Sequence, residues 1–142
     1  MKKPIGFLTV VIVLCSIFSG FALAENQIVD VDLTALSITM RAAEMFNMQM
    51  QPENYLGKTV KLQGSYSVTY SESTNTPYHF VLVADAAACC QQGMEFIWNG
   101  EHAFPEDYPV INKDIEVLGV FSVYEKAGYL RYYIATENII VP

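Results

Sequence analysis

The segment from Lys58 to Tyr70 constrains the fold most strongly, because apolar and polar side chains alternate along it. A period of two predicts a long β-strand with one buried face. Gly64 falls in the middle of this strand, where it predicts a bend or bulge of the kind that a tightly curled sheet needs. The expected buried face consists of Val60, Leu62, Gly64, Tyr66, Val68 and Tyr70.

A helix is predicted before this strand, from Thr34 to Met50. Apolar residues recur there at spacings of three and four, and Pro52 ends the pattern. Thr34 or Ser37 is the expected N-terminal cap. The expected apolar stripe consists of Leu36, Met40, Ala43 and Met50, with Phe46 beside it.

Four further strands are predicted after the long one, at 78–84, 94–99, 115–124 and 129–135, and 138–141 extends the sheet. The order predicts a mainly β fold: a five-stranded OB-like Greek-key barrel preceded by one N-terminal helix. The helix that usually joins strands three and four is short or missing, so the N-terminal helix is expected to close one barrel end. A five-stranded meander with a helix on one face is the alternative.

Residues 1–24 read as a secretory signal. Lys2 and Lys3 precede an apolar run that ends in a small-x-small pattern before Glu25. One alternative is an uncleaved membrane anchor. Another is a lipid anchor at Cys15, but a lipoprotein signal needs a small residue immediately before the cysteine, and Leu14 stands there. We therefore expect an exported protein, periplasmic, cell-envelope or extracellular, with a leader at 25–33, a single domain at 34–142 and no membrane span after cleavage.

The net charge restricts the partners. Removing Lys2 and Lys3 leaves six basic and 15 acidic residues, a net charge of −9. Nucleic-acid affinity depends on Lys and Arg neutralising phosphates, so this balance argues against a nucleic-acid partner. It also disfavours anionic membranes and is compatible with cations.

Two adjacent cysteines, Cys89 and Cys90, are the feature that most suggests chemistry. Thiolates suit zinc or copper(I), so the pair predicts a transition-metal site. Two thiolates leave a site incomplete, and His79 and His102 are the expected further ligands. Asp85, Glu95 and Glu101 are further candidate ligands.

Two other interpretations of the pair remain open. Neighbouring cysteines can form a strained vicinal disulfide, which an oxidising compartment favours, and such a bond suits a structural or protein-interaction module or a thiol-redox protein. The pair can also be two small buried hydrophobes beside a run of alanines.

The remaining features have simpler interpretations. Met45, Met48 and Met50 are expected to fill the core rather than to hold copper(I). Tyrosines of the last hairpin can stack on bases or sugars in OB barrels, but cross-strand packing is the expectation; they are Tyr124, Tyr129, Tyr132 and Tyr133. No nucleophile–base pair follows from the spacing, so the sequence favours a non-enzymatic binding domain.

The chain also resembles a family of small exported or lipid-anchored bacterial proteins with an OB-like fold and a Cys-Cys motif. The segments that carry the resemblance are 55–60, Gly64, 78–80 and 88–96. The double cysteine is distantly similar to one in an OB-like domain of a membrane protein family associated with metal permeases. There an aspartate tends to follow the cysteines, and here Gln91 does. The resemblance covers residues 31–141 and implies a fold and a site, but no activity.

Overall fold

The computed structural model describes residues 28–85, 87 and 90–142. The predicted signal at 1–24 lies outside them. Strand β1 (Val31–Asp32) pairs in parallel with Val60 and Lys61 of the first barrel strand. A one-turn 3-10 helix at Leu33–Ala35 follows, and Asp32 caps it. Helix α1 (Ile38–Met50) begins after Ser37, whose Oγ accepts a hydrogen bond from the Met40 amide. The predicted helix therefore starts four residues too early, because Leu36 is extended and separates two helical segments.

Five long strands follow: β2 (Thr59–Tyr70), β3 (Pro77–Ala84), β4 (Gln91–Trp98), β5 (Asp114–Lys126) and β6 (Tyr129–Ile140). Strands β2, β3 and β4 form an antiparallel meander, β6 runs parallel to β4, and β5 lies between β6 and β2. The pairing of β5 with β2 closes the ring. This five-stranded Greek-key order is that of an OB-like barrel, as the sequence predicts.

Strand β2 pairs with two different neighbours, and its partner changes next to Gly64. The first half of β2 pairs with β5 and its second half with β3, and the change of partner falls at Ser65. A Cβ atom on Gly64 would lie 2.3 Å from the carbonyl oxygen of Leu82, so no larger residue fits. Gly119 of β5 lies at a register shift opposite β6, and a larger residue is excluded there too, because an added Cβ would overlap the carbonyl oxygen of Ala135.

The helix contributes to the barrel core with a different face from the predicted one. Ala42, Met45 and Met48 are the buried residues of α1, whereas Met40, Phe46 and Met50 are more than half exposed. Arg41 explains the difference, because its guanidinium donates hydrogen bonds to the carbonyls of Leu33 and Gln63 and so fixes the rotation of α1 on the barrel. Met45 and Met48 are core residues, as expected; Met50 is not.

The segment between β4 and β5 contains no helix, in agreement with the sequence. It inserts the ring of Tyr108 against Tyr66 of β2, and Tyr66 exchanges backbone hydrogen bonds with Asn112 and Lys113. Within the described residues, no helix has the length and apolar character that crossing a bilayer requires.

Candidate functional site

The structure places Cys90 immediately before β4, on the exposed surface. Its carbonyl accepts a hydrogen bond from the Asp85 amide at 2.9 Å, which closes the connection between β3 and β4. Cys89 lies outside the described residues. The structure therefore gives the position of one of the two predicted thiolate ligands.

His79 lies near the other end of the same strand pair. It stands opposite Phe96, which is six residues after Cys90 in β4, or about 20 Å along a strand. Its Nδ1 is 2.7 Å from the hydroxyl of buried Tyr66, and its ring stacks on Tyr108 with centroids 4.1 Å apart. Burial lowers the pKa of His79 and raises that of Tyr66. Both groups are thus held neutral and paired with each other.

The side chain of His102 also packs against its neighbours. Its ring stacks on Trp98 with centroids 3.7 Å apart, and its Nε2 is 3.0 Å from the carbonyl oxygen of Asn99. The structure does not bring His79 together with Cys90. Among the described residues, no group of three or more His, Cys, Asp or Glu side chains is arranged to hold a metal ion.

A different set of residues converges on the outer surface of β3 and β4. Alternation places Val81 of β3 and Phe96 of β4 in the core, so that Phe80 and Glu95 point outward. Phe80, Glu95 and Tyr133 stand side by side in register across β3, β4 and β6. The tip of the β5–β6 hairpin extends past this row.

Glu95 is the centre of that surface. Although it points outward, it is only 5% exposed. Its Oε1 accepts a hydrogen bond from the hydroxyl of Tyr124 at 2.8 Å, and its Oε2 lies 3.3 Å from Nε of Arg131. Tyr124 and Arg131 face each other across the hairpin, so one carboxylate holds both of its strands. Two bonds of this kind offset the cost of burying a charge.

Tyr78 completes the arrangement on the β3 side. The Arg131 guanidinium lies 5.0 Å from the Tyr78 ring centroid, and Nζ of Lys126 lies 4.6 Å from it and donates a hydrogen bond to the Tyr78 hydroxyl. Burial together with the bond to Glu95 raises the pKa of Tyr124. Burial alone would lower the pKa of Arg131, but the attraction and hydrogen bond of Glu95, together with Tyr124 and Tyr78, raise it overall.

Three adjoining cavities open on this surface. One of about 340 Å³ lies under the hairpin tip, between Phe80, Gly93 and Tyr129. A second, of about 300 Å³, extends from Tyr78 to Trp98 and also borders the rings of His79 and Tyr108. A third, of about 220 Å³, extends toward Tyr70. Glu95, Arg131, Tyr78 and Phe80 each line two of the three. We call this surface the outer groove and define it by Tyr78, Phe80, Glu95, Tyr124 and Arg131.

The outer groove was only partly visible in the sequence. The sequence indicates the hairpin tyrosines as candidates for stacking, and it indicates Glu95 only as a candidate metal ligand. The available signal was a single charge inside an otherwise apolar strand, Met94 to Trp98. Arg131 follows Glu95 by 36 residues, and only the closed barrel brings the two together.

Comparison with known proteins shows the level at which this chain is similar to others. No family model matches it, and no curated protein matches it. Among solved structures, it is similar to the SSB domain of a protein from Synechococcus sp., with 13% identity and a TM-score of 0.36 over 60% of this chain and 94% of that one. At this level the likeness carries nothing about ligand or partner, and the family suggested by the cysteine motif stays a prediction.

Proposed function

We propose that this protein is an exported, non-enzymatic binding domain whose ligand occupies the outer groove. The observation that carries the proposal is the buried network of Glu95, Tyr124 and Arg131, with cavities on either side of it. Ligand sites are typically concave, largely apolar, and contain a few oriented polar groups. In OB barrels the surface of the second and third barrel strands, here β3 and β4, is the binding surface.

The hairpin tip supplies a second line of support. Tyr129 is 76% exposed and Leu130 62% exposed, yet both line the cavity of about 340 Å³. Large apolar side chains at the tip of a hairpin gain little from folding, because they remain in water. Contact with a ligand would bury them.

Nucleic acid remains a poor match. Of the basic residues after the predicted signal, only Lys126 and Arg131 border the outer groove, and both already contact Tyr78. A phosphate backbone needs a track of cations. The proposed ligand is therefore a small molecule or a short segment of a larger one.

The transition-metal site predicted at Cys89 and Cys90 stays a separate prediction from the sequence. If zinc or copper binds there, its remaining ligands have to come from residues other than His79, because the barrel holds that ring far along β3. The interpretations of the pair as a vicinal disulfide or thiol-redox site likewise remain predictions.

A fragment screen tests the proposed function. The full chain, expressed with export, is screened by saturation-transfer NMR against a library of acidic, basic and neutral fragments. We expect hits whose signals weaken in Tyr129→Ala and persist in Phe46→Ala, which removes a half-exposed aromatic ring from α1 instead. Hits that are unaffected by Tyr129→Ala, or a library without hits, would contradict the proposal.

A further inference from the structure

Arg131 is held in place on two sides. Its Nε lies 3.3 Å from the Glu95 carboxylate, and its guanidinium lies over the ring of Tyr78. The carboxylate is almost fully buried, while the Arg131 side chain is 41% exposed. A guanidinium anchored at one edge and stacked on a ring loses little further freedom when it binds a ligand.

This anchoring leaves most of the donors of Arg131 unused. A guanidinium carries five N–H donors, of which Nε supplies one. In the part of the chain that the structure describes, neither Nη1 nor Nη2 makes a hydrogen bond. Arg131 lines both the cavity of about 340 Å³ and the cavity of about 220 Å³. A planar pair of donors of this kind matches a carboxylate, which it can bind through two parallel hydrogen bonds.

The charges around Arg131 favour an anion of low charge. Lys126 adds a second cation on the same Tyr78 ring, and Glu95 is the one carboxylate among the described residues that line these two cavities. Within the lining of these two cavities the charges of Arg131 and Glu95 cancel, and Lys126 on the Tyr78 ring adds one positive charge beside them. The overall charge of the chain repels polyanions at long range, whereas a single carboxylate can bind the open donors of Arg131 at short range.

We propose that the ligand of the outer groove carries one carboxylate, bound by Nη1 and Nη2 of Arg131, on a ring-shaped body that contacts Phe80 and Tyr129. This inference rests on the proposed function and adds the ligand class. Arg131 has a recognition role here beyond its structural contact with Glu95. The ring can be aromatic or a sugar, since both present a flat face to an aromatic side chain.

A matched series of probes tests the charge. 3-Phenylpropionate, 3-phenylpropanol and 3-phenylpropylamine share a skeleton and differ in one group; methyl glucuronide and methyl glucoside make the same comparison for a sugar. Dissociation constants are measured by NMR titration of the exported protein. We expect at least one acid to bind about tenfold to a hundredfold more tightly than its neutral partner, as a charge-assisted pair implies. The phenyl and sugar arms identify the ring.

Variants test the residue. Arg131→Lys keeps the charge but loses the paired donors, and we expect it to weaken the acid about tenfold while leaving the neutral probe unchanged. Glu95→Gln with Arg131→Met removes the pair without leaving a buried charge, which keeps the test valid if the single variant unfolds. Lys113→Met, at the start of β5, is the control for loss of a positive charge.

Three results would overturn this inference. They are equal or tighter binding of the neutral or basic probe, an unchanged acid affinity in Arg131→Lys and in the double variant, and the absence of binding by all five probes. Fragment hits that depend on Tyr129 but carry no acid would leave the proposed function standing and remove only the carboxylate. If no fragment hit depended on Tyr129 either, both the proposed function and the carboxylate inference would be wrong.

Discussion

Neighbouring residues of β4 take part in two opposite arrangements. Phe96 points into the barrel, where it contacts the rings of Tyr66 and His79, and Tyr108 stacks on both of these; we call these four rings the aromatic plug. Glu95 points out, into the outer groove. In the plug, the hydroxyl of Tyr66 and Nδ1 of His79 form a hydrogen bond with each other. The groove leaves donors of Arg131 and an exposed Tyr129 facing open cavities.

The difference distinguishes a structural cluster from a binding surface. Rings, a histidine and a buried polar bond occur in the plug, and these features would attract a search for chemistry. Packing between β2, β3 and the segment before β5 explains the stacked rings and the buried polar bond, although His79, Phe96 and Tyr108 also border the cavity of about 300 Å³. In the groove, packing explains why Glu95 is buried but not why the cations and aromatic rings remain partly exposed around it.

The largest expected effect concerns the plug. Tyr66→Ala removes a fully buried ring that contacts three aromatic neighbours and leaves Nδ1 of His79 without its partner. We expect the free energy of unfolding to fall by about 3–5 kcal/mol, the usual cost of removing a large core aromatic. Urea denaturation measures it, with Tyr70→Ala as the control because Tyr70 is 49% exposed. A loss similar to that of the control would show that the plug is not structural.

Glu95→Ala tests the groove in the same way. It leaves the Tyr124 hydroxyl and the Arg131 guanidinium without their acceptor. Because Arg131 can turn to water, we expect a smaller loss of about 1–3 kcal/mol in urea denaturation, together with loss of fragment binding. Glu125→Ala at the exposed hairpin tip is the matched control and should be neutral for stability. Unchanged fragment binding in Glu95→Ala would show that the Glu95 network is not part of the binding surface.

The pH dependence of stability sharpens the assignment of His79. Its pKa is lower in the folded than in the unfolded protein, so the unfolded chain takes up a proton first as the pH falls below about 6.5. The free energy of unfolding should therefore decrease between pH 7 and pH 5.5, by less than about 1.4 kcal/mol per pH unit for one group. His79→Phe should flatten this slope. If the unfolding free energy of His79→Phe fell with pH as steeply as that of the unmodified protein, a group other than His79 would cause the pH dependence.

The cysteines give the smallest expected effect on the fold. Cys90 is exposed before β4, so Cys90→Ser removes no buried apolar surface and should change the unfolding free energy of the reduced, metal-free protein by less than about 0.5 kcal/mol. The double variant, Cys89→Ser with Cys90→Ser, removes both thiols. Native mass spectrometry of the protein purified from an exporting host, without added metal or reductant, tests their chemistry directly. A bound zinc or copper mass that the double variant loses would support the metal prediction, and a mass lower by two hydrogens would support the disulfide. Neither result would alter the expectations for the groove.

The comparison also shows which features the sequence could predict. Alternation around Gly64 predicted the long bent strand, since a period of two and a central glycine are local properties. The prediction of the buried face of α1 was wrong by about one residue position. The hydrogen bonds of Arg41 to the carbonyls of Leu33 and Gln63 set the rotation of this helix.

The outer groove could not be predicted for the same reason. Glu95, Tyr124 and Arg131 meet only when β6 pairs with β4 and the hairpin extends beyond that pairing. Local patterns identified the hairpin tyrosines, but the partner of each polar group depends on barrel closure. His79 shows the converse: its type suggested a ligand, and its surroundings assign it to the plug.

Chemical-shift mapping tests the central claim most directly. Amide ¹H–¹⁵N spectra of the purified protein are recorded with the strongest fragment hits. If the outer groove is the binding surface, the largest shifts will lie at Phe80, Gly93, Glu95 and Arg131, and the plug residue Tyr66 will shift little. Shifts centred on the exposed side of α1, around Phe46 and Met50, would contradict the account and move the binding surface to the helix.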